Sequence, residues 1–183
     1  MKAQVARIRR YGNRCLRRKA APVDPAHPDT RTLLDALWST LLSDGGVGLA
    51  APQIGQDSRV VIVIDPERPP SRQKLELVNP VITETFGPPV PFEEGCLSFP
   101  GLYTTVWRSP GAVVEFDGPQ GKCTLREEGL AARIIQHEVD HLDGVLFVDH
   151  LSIWTKIWLL PRLTSYVMYE AWRKIRGKER GGG

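Results

Sequence analysis

The sequence predicts an α+β fold, with mixed and antiparallel strands packed around a central helix that carries an H-E-x-x-H motif, plus a C-terminal helix. Three observations carry this reading. Helical spacing of apolar residues is confined to a few segments, short β-prone runs are numerous, and no regular βαβ alternation of a doubly wound sheet is present.

Taken in order, the first helix is "PDTRTLLDALWSTLLSD", residues 28–44, where Leu33, Leu34, Leu37, Leu41 and Leu42 recur at helical spacing and Gly45-Gly46 act as a stop. "GVGLAAPQIG" (46–55) is too rich in Gly and Pro for a plain helix or strand. "RVVIVI" (59–64) reads as a buried strand bounded by Asp65-Pro66, and "PERPPSRQ" as a surface loop. "LELVNPVITE" (75–84) reads as extended, with Pro80 marking an edge or a bulge. Residues 103–127 read as strands with a hairpin around Asp117-Gly118. A second long helix is expected from Glu128 to Leu142, stopped by Gly144. "VLFV" (145–148) is expected to be a short strand, and a C-terminal helix to occupy much of 163–176, its start limited by Pro161.

The chain has 183 residues, 42% of them hydrophobic and 25% charged, which suits one globular domain spanning 1–183. Net charge is only +3, yet the ends are basic. Residues 1–19 hold eight Lys and Arg and no acid, and 151–183 form a basic, aromatic helical tail. Such ends fit either solvated surface or contact with a polyanion such as ribosomal RNA, and nothing points to DNA. Three cysteines, Cys15, Cys96 and Cys123, make no disulfide framework, so a reducing compartment is expected. The basic start leads into no apolar run, so no secretory signal is expected. Lys156, Pro161, Arg162 and Glu170 interrupt the apolar tail, so no membrane span is expected.

The chemistry centres on "IIQHEVDHLDG", 134–144. His137 and His141, four apart on a helix, share a face and can reach one ion, with Glu138 beside them to take a proton from water. The third ligand separates the readings. A metzincin continuation fails because Phe147 stands where its last His would be. A glutamate from a later helix is strained, since no acid occurs between Asp149 and Glu170. Cys96 in "EEGCLSFPG" is the candidate that remains, giving three ligands and an open fourth position. A true endopeptidase, or a closed non-catalytic site completed by His150, are the rival readings; Cys15 and Cys123 have no setting that recommends them as ligands.

"GVGLAAPQIG" (46–55), "EGCLS" (94–98) and "QHEVDH" (136–141) resemble the three signature motifs of peptide deformylases, in that family's order, and "YGNRCLRRKAAPV" (11–23) resembles its opening segment. The resemblance covers roughly residues 5–152. It implies a hydrolase that removes the formyl group from the N-terminal formyl-methionine of nascent peptides and releases formate. It implies Cys96, His137 and His141 as ligands of one divalent ion per chain, commonly ferrous iron, with zinc, nickel or cobalt able to occupy the site. Glu138 is then the general acid–base residue, and Gln53 and the Leu97 backbone N–H are the oxyanion donors. Gly46, Gly48 and Gly95 would let backbone approach closely. Val47, Leu130 and Ile134 would form an apolar slot for methionine, flanked by the stem of Arg133. Glu94 would bind substrate backbone or orient its loop, and Asp140 would act behind the ligands. The family's tail also implies ribosome docking, against the rival that the aromatic face packs on the core or a second subunit. Formyl-methionine initiation implies the bacterial cytoplasm, or an organelle if a transit segment has been trimmed.

Overall fold

A computed structural model describes residues 5–118 and 120–179, with side chains to residue 176. Of the basic ends, Lys2, Lys178 and Arg180 lie outside the described residues or side chains, as do Gly181, Gly182 and Gly183.

Helix α1 spans Pro28–Asp44. Its start is set by His27, whose Nδ1 accepts from Asp29 N–H, and by Pro28 in the first turn; Gly45 closes it in the left-handed region at φ 76°. Strands β1 (Gly48–Ala50), β2 (Val60–Ile64), β3 (Lys74–Phe86), β6 (Gly111–Gly118) and β7 (Gly121–Glu128) form a five-stranded sheet in the order β1-β2-β3-β6-β7. Strands β4 (Val90–Gly95) and β5 (Tyr103–Arg108) make a separate ribbon. All of these ladders are antiparallel. Helix α2 (Gly129–Leu142) packs on the larger sheet, against β1, β2, β3, β6 and β7. The α+β class expected from the sequence is therefore the class observed.

The run Val60–Ile64 explains how the layers are held. Its odd residues Val61 and Val63 join Ile135, Val139 and Leu142 of α2 in one core. Its even residues Val60 and Ile62 join Leu34, Leu37 and Leu41 of α1 in another. A strand covered on both faces needs apolar side chains at every position, hence the unbroken run rather than alternation. A third core gathers Phe99, Leu102 and Val106 from around the ribbon with Phe147, Val148 and the later residues Leu163 and Tyr166.

Two local expectations change, and the two alternatives at Pro80 are decided. "VLFV" is not a strand: Phe147–His150 is a 3-10 turn, because Phe147 and Val148 both bury in the third core and Asp149 caps the turn through the Leu146 N–H at 2.8 Å. The C-terminal helix α3 runs Ile153–Glu179 and contains Pro161 instead of starting after it. Ser152 starts it, accepting from Thr155 N–H at 3.2 Å, and the proline falls at an exposed position where the loss of one N–H donor is tolerated. Pro80 is at a bulge and not at an edge; β3 is the middle strand, and its register slips between Val78 and Val81, next to Asn79 at φ 53°.

Leu41 and Leu42 test this packing as neighbours on α1. Leu41 is fully buried and Leu42 is 60% exposed. Leu41→Ala is expected to lose about 2–5 kcal/mol of unfolding free energy. Leu42→Ala is expected to lose less than about 0.5 kcal/mol in the same urea titration. Equal losses would contradict the assignment of α1's buried face.

Candidate metal centre

Helix α2 is buried along nearly its whole length, from Ala131 to Val139 and again at His141 and Leu142. A polar side chain on such a helix must find a partner or leave a costly unpaired atom. Gln136 finds the carbonyls of Ser109 and Ala132. Arg133 reaches Glu94 at 2.8 Å and the carbonyls of Val90 and Val106. His137 and His141, one turn apart, point to the turn that follows β4, where Cys96 sits. The Cys96 sulfur and one nitrogen from each imidazole all lie within 4.8 Å of one another, and Cys96 Sγ is 3.3 Å from His141 Nε2.

Glu94, two residues before that cysteine, organises the approach. It is 6% exposed and meets Arg108 from β5, Arg133 and His137, the last at 3.0 Å from His137 Nδ1. With Nδ1–H donated to the carboxylate, His137 keeps the lone pair of Nε2 available to an ion. Burial alone would raise the Glu94 pKa, but hydrogen bonds from His137 and Arg108 outweigh it and hold the carboxyl at about 2. Arg108 also donates to Asp140 at 2.7 Å, and Asp140 meets His150 at 2.8 Å. A line of bonded groups thus runs from His150 to His137. His150 lies at its outer end, so among the described residues no fourth protein ligand joins the three.

Two buried side-chain atoms lack a protein partner among the described residues, Glu138 Oε2 and His141 Nδ1. Glu138 lines a cleft beside Cys96 and His137, and an unpaired carboxylate oxygen in a dry site marks a place built for something else. The donor set of one thiol and two imidazoles suits a divalent transition ion, so the residues fit a metal. Burial lifts the Glu138 pKa to about 7 despite the opposing charges of His137 and Arg108. Burial presses both imidazoles toward the neutral form. His141 stays well below its ordinary value, while bonds to Cys96 and Glu94 reverse the effect at His137 and raise it.

These groups open into a cleft of about 700 Å³. Its wall includes Gly46, Val47, Gly48, Gln53, Glu94 and Gly95, and also Cys96, Leu97, Leu130, Arg133, Ile134 and Glu138. The residues singled out in the sequence for metal, catalysis and substrate are therefore brought to this one place, except that His141 and Asp140 are not part of the wall. Gln53 is 1% exposed and its amide cannot swing, because Oε1 accepts from Ala50 N–H at 2.8 Å while Nε2 faces Cys96 Sγ and Ser98 Oγ. Leu97 packs into the α1 core beside Gly46. Gly48 is forced by contact: a Cβ there would stand 2.4 Å from Glu138 Oε1. The sequence reading did not name Arg108, nor Phe92 and Tyr103, which line the cleft. Arg108 carries no local signal, since its partners come from β4 and α2.

The sequence profile of the polypeptide deformylase family matches residues 5–156. The chain belongs to that family. A peptide deformylase of Desulfitobacterium hafniense is 44% identical over 146 residues, covering 79% of this chain and 93% of that one. The Picosynechococcus enzyme is 42% identical over 143 residues, covering 77% and 76%. Among solved structures, the peptide deformylase of Thermus thermophilus superposes with a TM-score of 0.80 at 38% identity, covering 90% of this chain and 99% of that one. A Met-Ala-Ser-bound peptide deformylase of Acinetobacter baumannii gives 0.74 at 36% identity, covering 81% and 99%. The deformylase reaction, removal of the N-formyl group from nascent peptides, is thereby this chain's reaction, and the family's metal dependence agrees with the Cys96–His137–His141 cluster.

Two outcomes test the site's construction. Glu94 has its pKa lowered from an ordinary 4.5 to about 2, so it contributes stability in full above about pH 4.5 and loses it as pH falls toward 2. Glu94→Gln is expected to cost about 3 kcal/mol at neutral pH, with the gap to wild type closing across that acid window in urea titrations. A gap independent of pH contradicts the charge assignment. Gly48→Ala is expected to displace the Glu138 carboxylate and reduce kcat by about 100-fold or more while the protein still folds. Unchanged kcat removes the close-contact argument.

Proposed function

We propose that Cys96, His137 and His141 hold one divalent ion and that Glu138, Gln53 and the Leu97 backbone complete a site for hydrolysing the formyl amide of an N-terminal formyl-methionine. The observation that carries this reading is the buried, unpartnered Oε2 of Glu138, a side chain that lines the cleft with Cys96 and His137. An ion bound there supplies Lewis acidity, which acidifies water and polarises a carbonyl oxygen.

The remaining work falls to the chain. Glu138, with a pKa near 7, accepts a proton from the attacking water and returns it to the amine as the C–N bond breaks. Gln53 Nε2, held in place by the Ala50 bond, donates to the formyl oxygen as negative charge grows on it, and Leu97 N–H gives a second donor from the turn beside Cys96. Val47, Leu130 and Ile134 on the cleft wall take the methionine side chain, and Gly46, Gly48 and Gly95 leave room for the peptide backbone. Glu94 and Arg133 line the same cleft, but their charges face each other, so we assign them to positioning His137 rather than to gripping substrate. The Met-Ala-Ser complex of the Acinetobacter relative supports a cleft that receives an N-terminal methionine.

We assign ferrous iron to the site, with zinc, nickel and cobalt as ions the same donors accept. We assign residues 1–183 to one catalytic domain, and the bacterial cytoplasm, where formylated chains are made, is its proposed location. Among the described residues no helix is long and apolar enough to cross a membrane.

Glu138→Gln keeps the three ligands and removes the base. An anaerobic assay on formyl-Met peptides, with metal analysis of the same samples, is expected to show retained metal and formate release lowered about 100- to 10,000-fold. Retained activity overturns the role of Glu138. Peroxide is expected to inactivate the iron form, because both ferrous iron and the Cys96 thiolate are oxidisable. An iron-loaded sample indifferent to peroxide contradicts the metal assignment.

A further inference from the structure

Helix α3 turns two faces to different surroundings. Leu159, Leu163 and Tyr166 pack inward, Tyr166 Oη donates to the Pro100 carbonyl at 2.8 Å, and buried Glu170 meets Asn13. The aromatic tail thus does pack on the enzyme's own core, but only along one side. On the opposite side Trp154, Trp158, Pro161 and Ser165 are all exposed, followed by Met168, Trp172 and Ile175. The steps between successive members alternate four and three residues, the spacing of a seam between two helices.

We propose that this stripe is a dimer seam in which α3 pairs antiparallel with α3 of a second copy of the chain. Area supports a protein partner. Trp154 is 74% exposed, Trp158 86%, Met168 72%, Trp172 51% and Ile175 63%. Together these side chains present on the order of 800 Å² of apolar surface, what each partner of a standard interface buries and more than a typical monomer leaves in one patch. The distribution of bulk supports a copy of itself. Reversing the helix so that Trp154 meets Ile175 sets Trp158 against Trp172, Met168 against Pro161 and Ser165 against its own copy, so bulky ends meet and the one bulky residue near the centre faces a small one. That is the self-complementarity a two-fold axis requires. Charge sets the direction, because a parallel pair would bring Arg173, Lys174 and Arg176 of both copies together, whereas an antiparallel pair keeps them a helix length apart.

The ribosome contact expected of a basic tail needs free cations. Lys156 is bonded to the Asp149 carbonyl, Arg162 to that of Gly101 and Arg173 to Glu170, and Arg176 lies over the Trp172 ring. Among the described side chains of α3 this leaves Lys174 as the cation without such a partner.

Sedimentation of the full chain over a micromolar concentration series tests the proposal. The wild type is expected to reach twice its 20.4 kDa mass, and the Trp158→Glu, Met168→Glu double variant to stay at one mass with unchanged deformylase activity and circular dichroism. Trp154→Cys chains mixed with Ile175→Cys chains are expected to give a disulfide-linked pair that neither gives alone above the wild-type background. Self-linking of Trp154→Cys alone overturns the antiparallel sense. A wild type of one mass throughout overturns the dimer, and capture of that monomer by ribosomes or phosphatidylserine vesicles, lost in the double variant, would assign the stripe to that partner.

Discussion

The structure depends on one buried carboxylate. Glu94 stands near the end of β4, and its two oxygens meet Arg108 from β5 and Arg133 and His137 from α2. A charge with so little access to water is tolerable only when paired and hydrogen-bonded on all sides. Satisfying it fixes the distance between the ribbon and the helix, and therefore where the chain emerges at Cys96. The same bonds fix the His137 ring and leave its outer nitrogen for a ligand. Truncating any one member leaves the others as unpaired buried charges, so the network behaves as a unit.

Around this anchor the fold makes a dry place for polar chemistry. The central helix is buried on nearly every side, which would be ruinous for Arg133, Gln136, His137, Glu138 and His141 were they unpartnered. Arg133, Gln136 and the Nδ1 of His137 are answered by protein, and Nε2 of His141 meets Cys96, whereas among the described residues Glu138 Oε2 and His141 Nδ1 have no protein partner. The absence of a side chain at Gly48 lets β1 run against Glu138, and Gln53 is pinned by the backbone one turn before it. The site is thus assembled from three sequence segments that share no local structure: a short strand and turn, the end of a ribbon, and a helix.

Much of this was legible because local signals agreed. The leucines of α1 with Gly45 after them, and the unbroken Val60–Ile64 run, state their structure in their own composition. The Cys96, His137 and His141 cluster was legible through three motifs in order, since spacing of His137 and His141 alone left its third member open. What failed were places where tertiary packing decides. Four apolar residues at 145–148 serve a strand or a buried turn equally well, and the third core chose the turn. Pro161 reads as a helix start until Ser152 is seen to cap a helix that passes through it. Arg108 was invisible because an arginine late in a strand is ordinary, and only the folded chain sets it between Glu94 and Asp140.

In the proposed site one sulfur and two imidazoles hold the ion while a free carboxylate stands beside it. Metal-edge absorption spectroscopy of the chain purified anaerobically measures this directly. One sulfur and two imidazole scatterers about a single ion, with the sulfur lost in Cys96→Asp, is the result predicted. A sulfur-free first coordination sphere, or a sphere unchanged by removing Cys96, would contradict it.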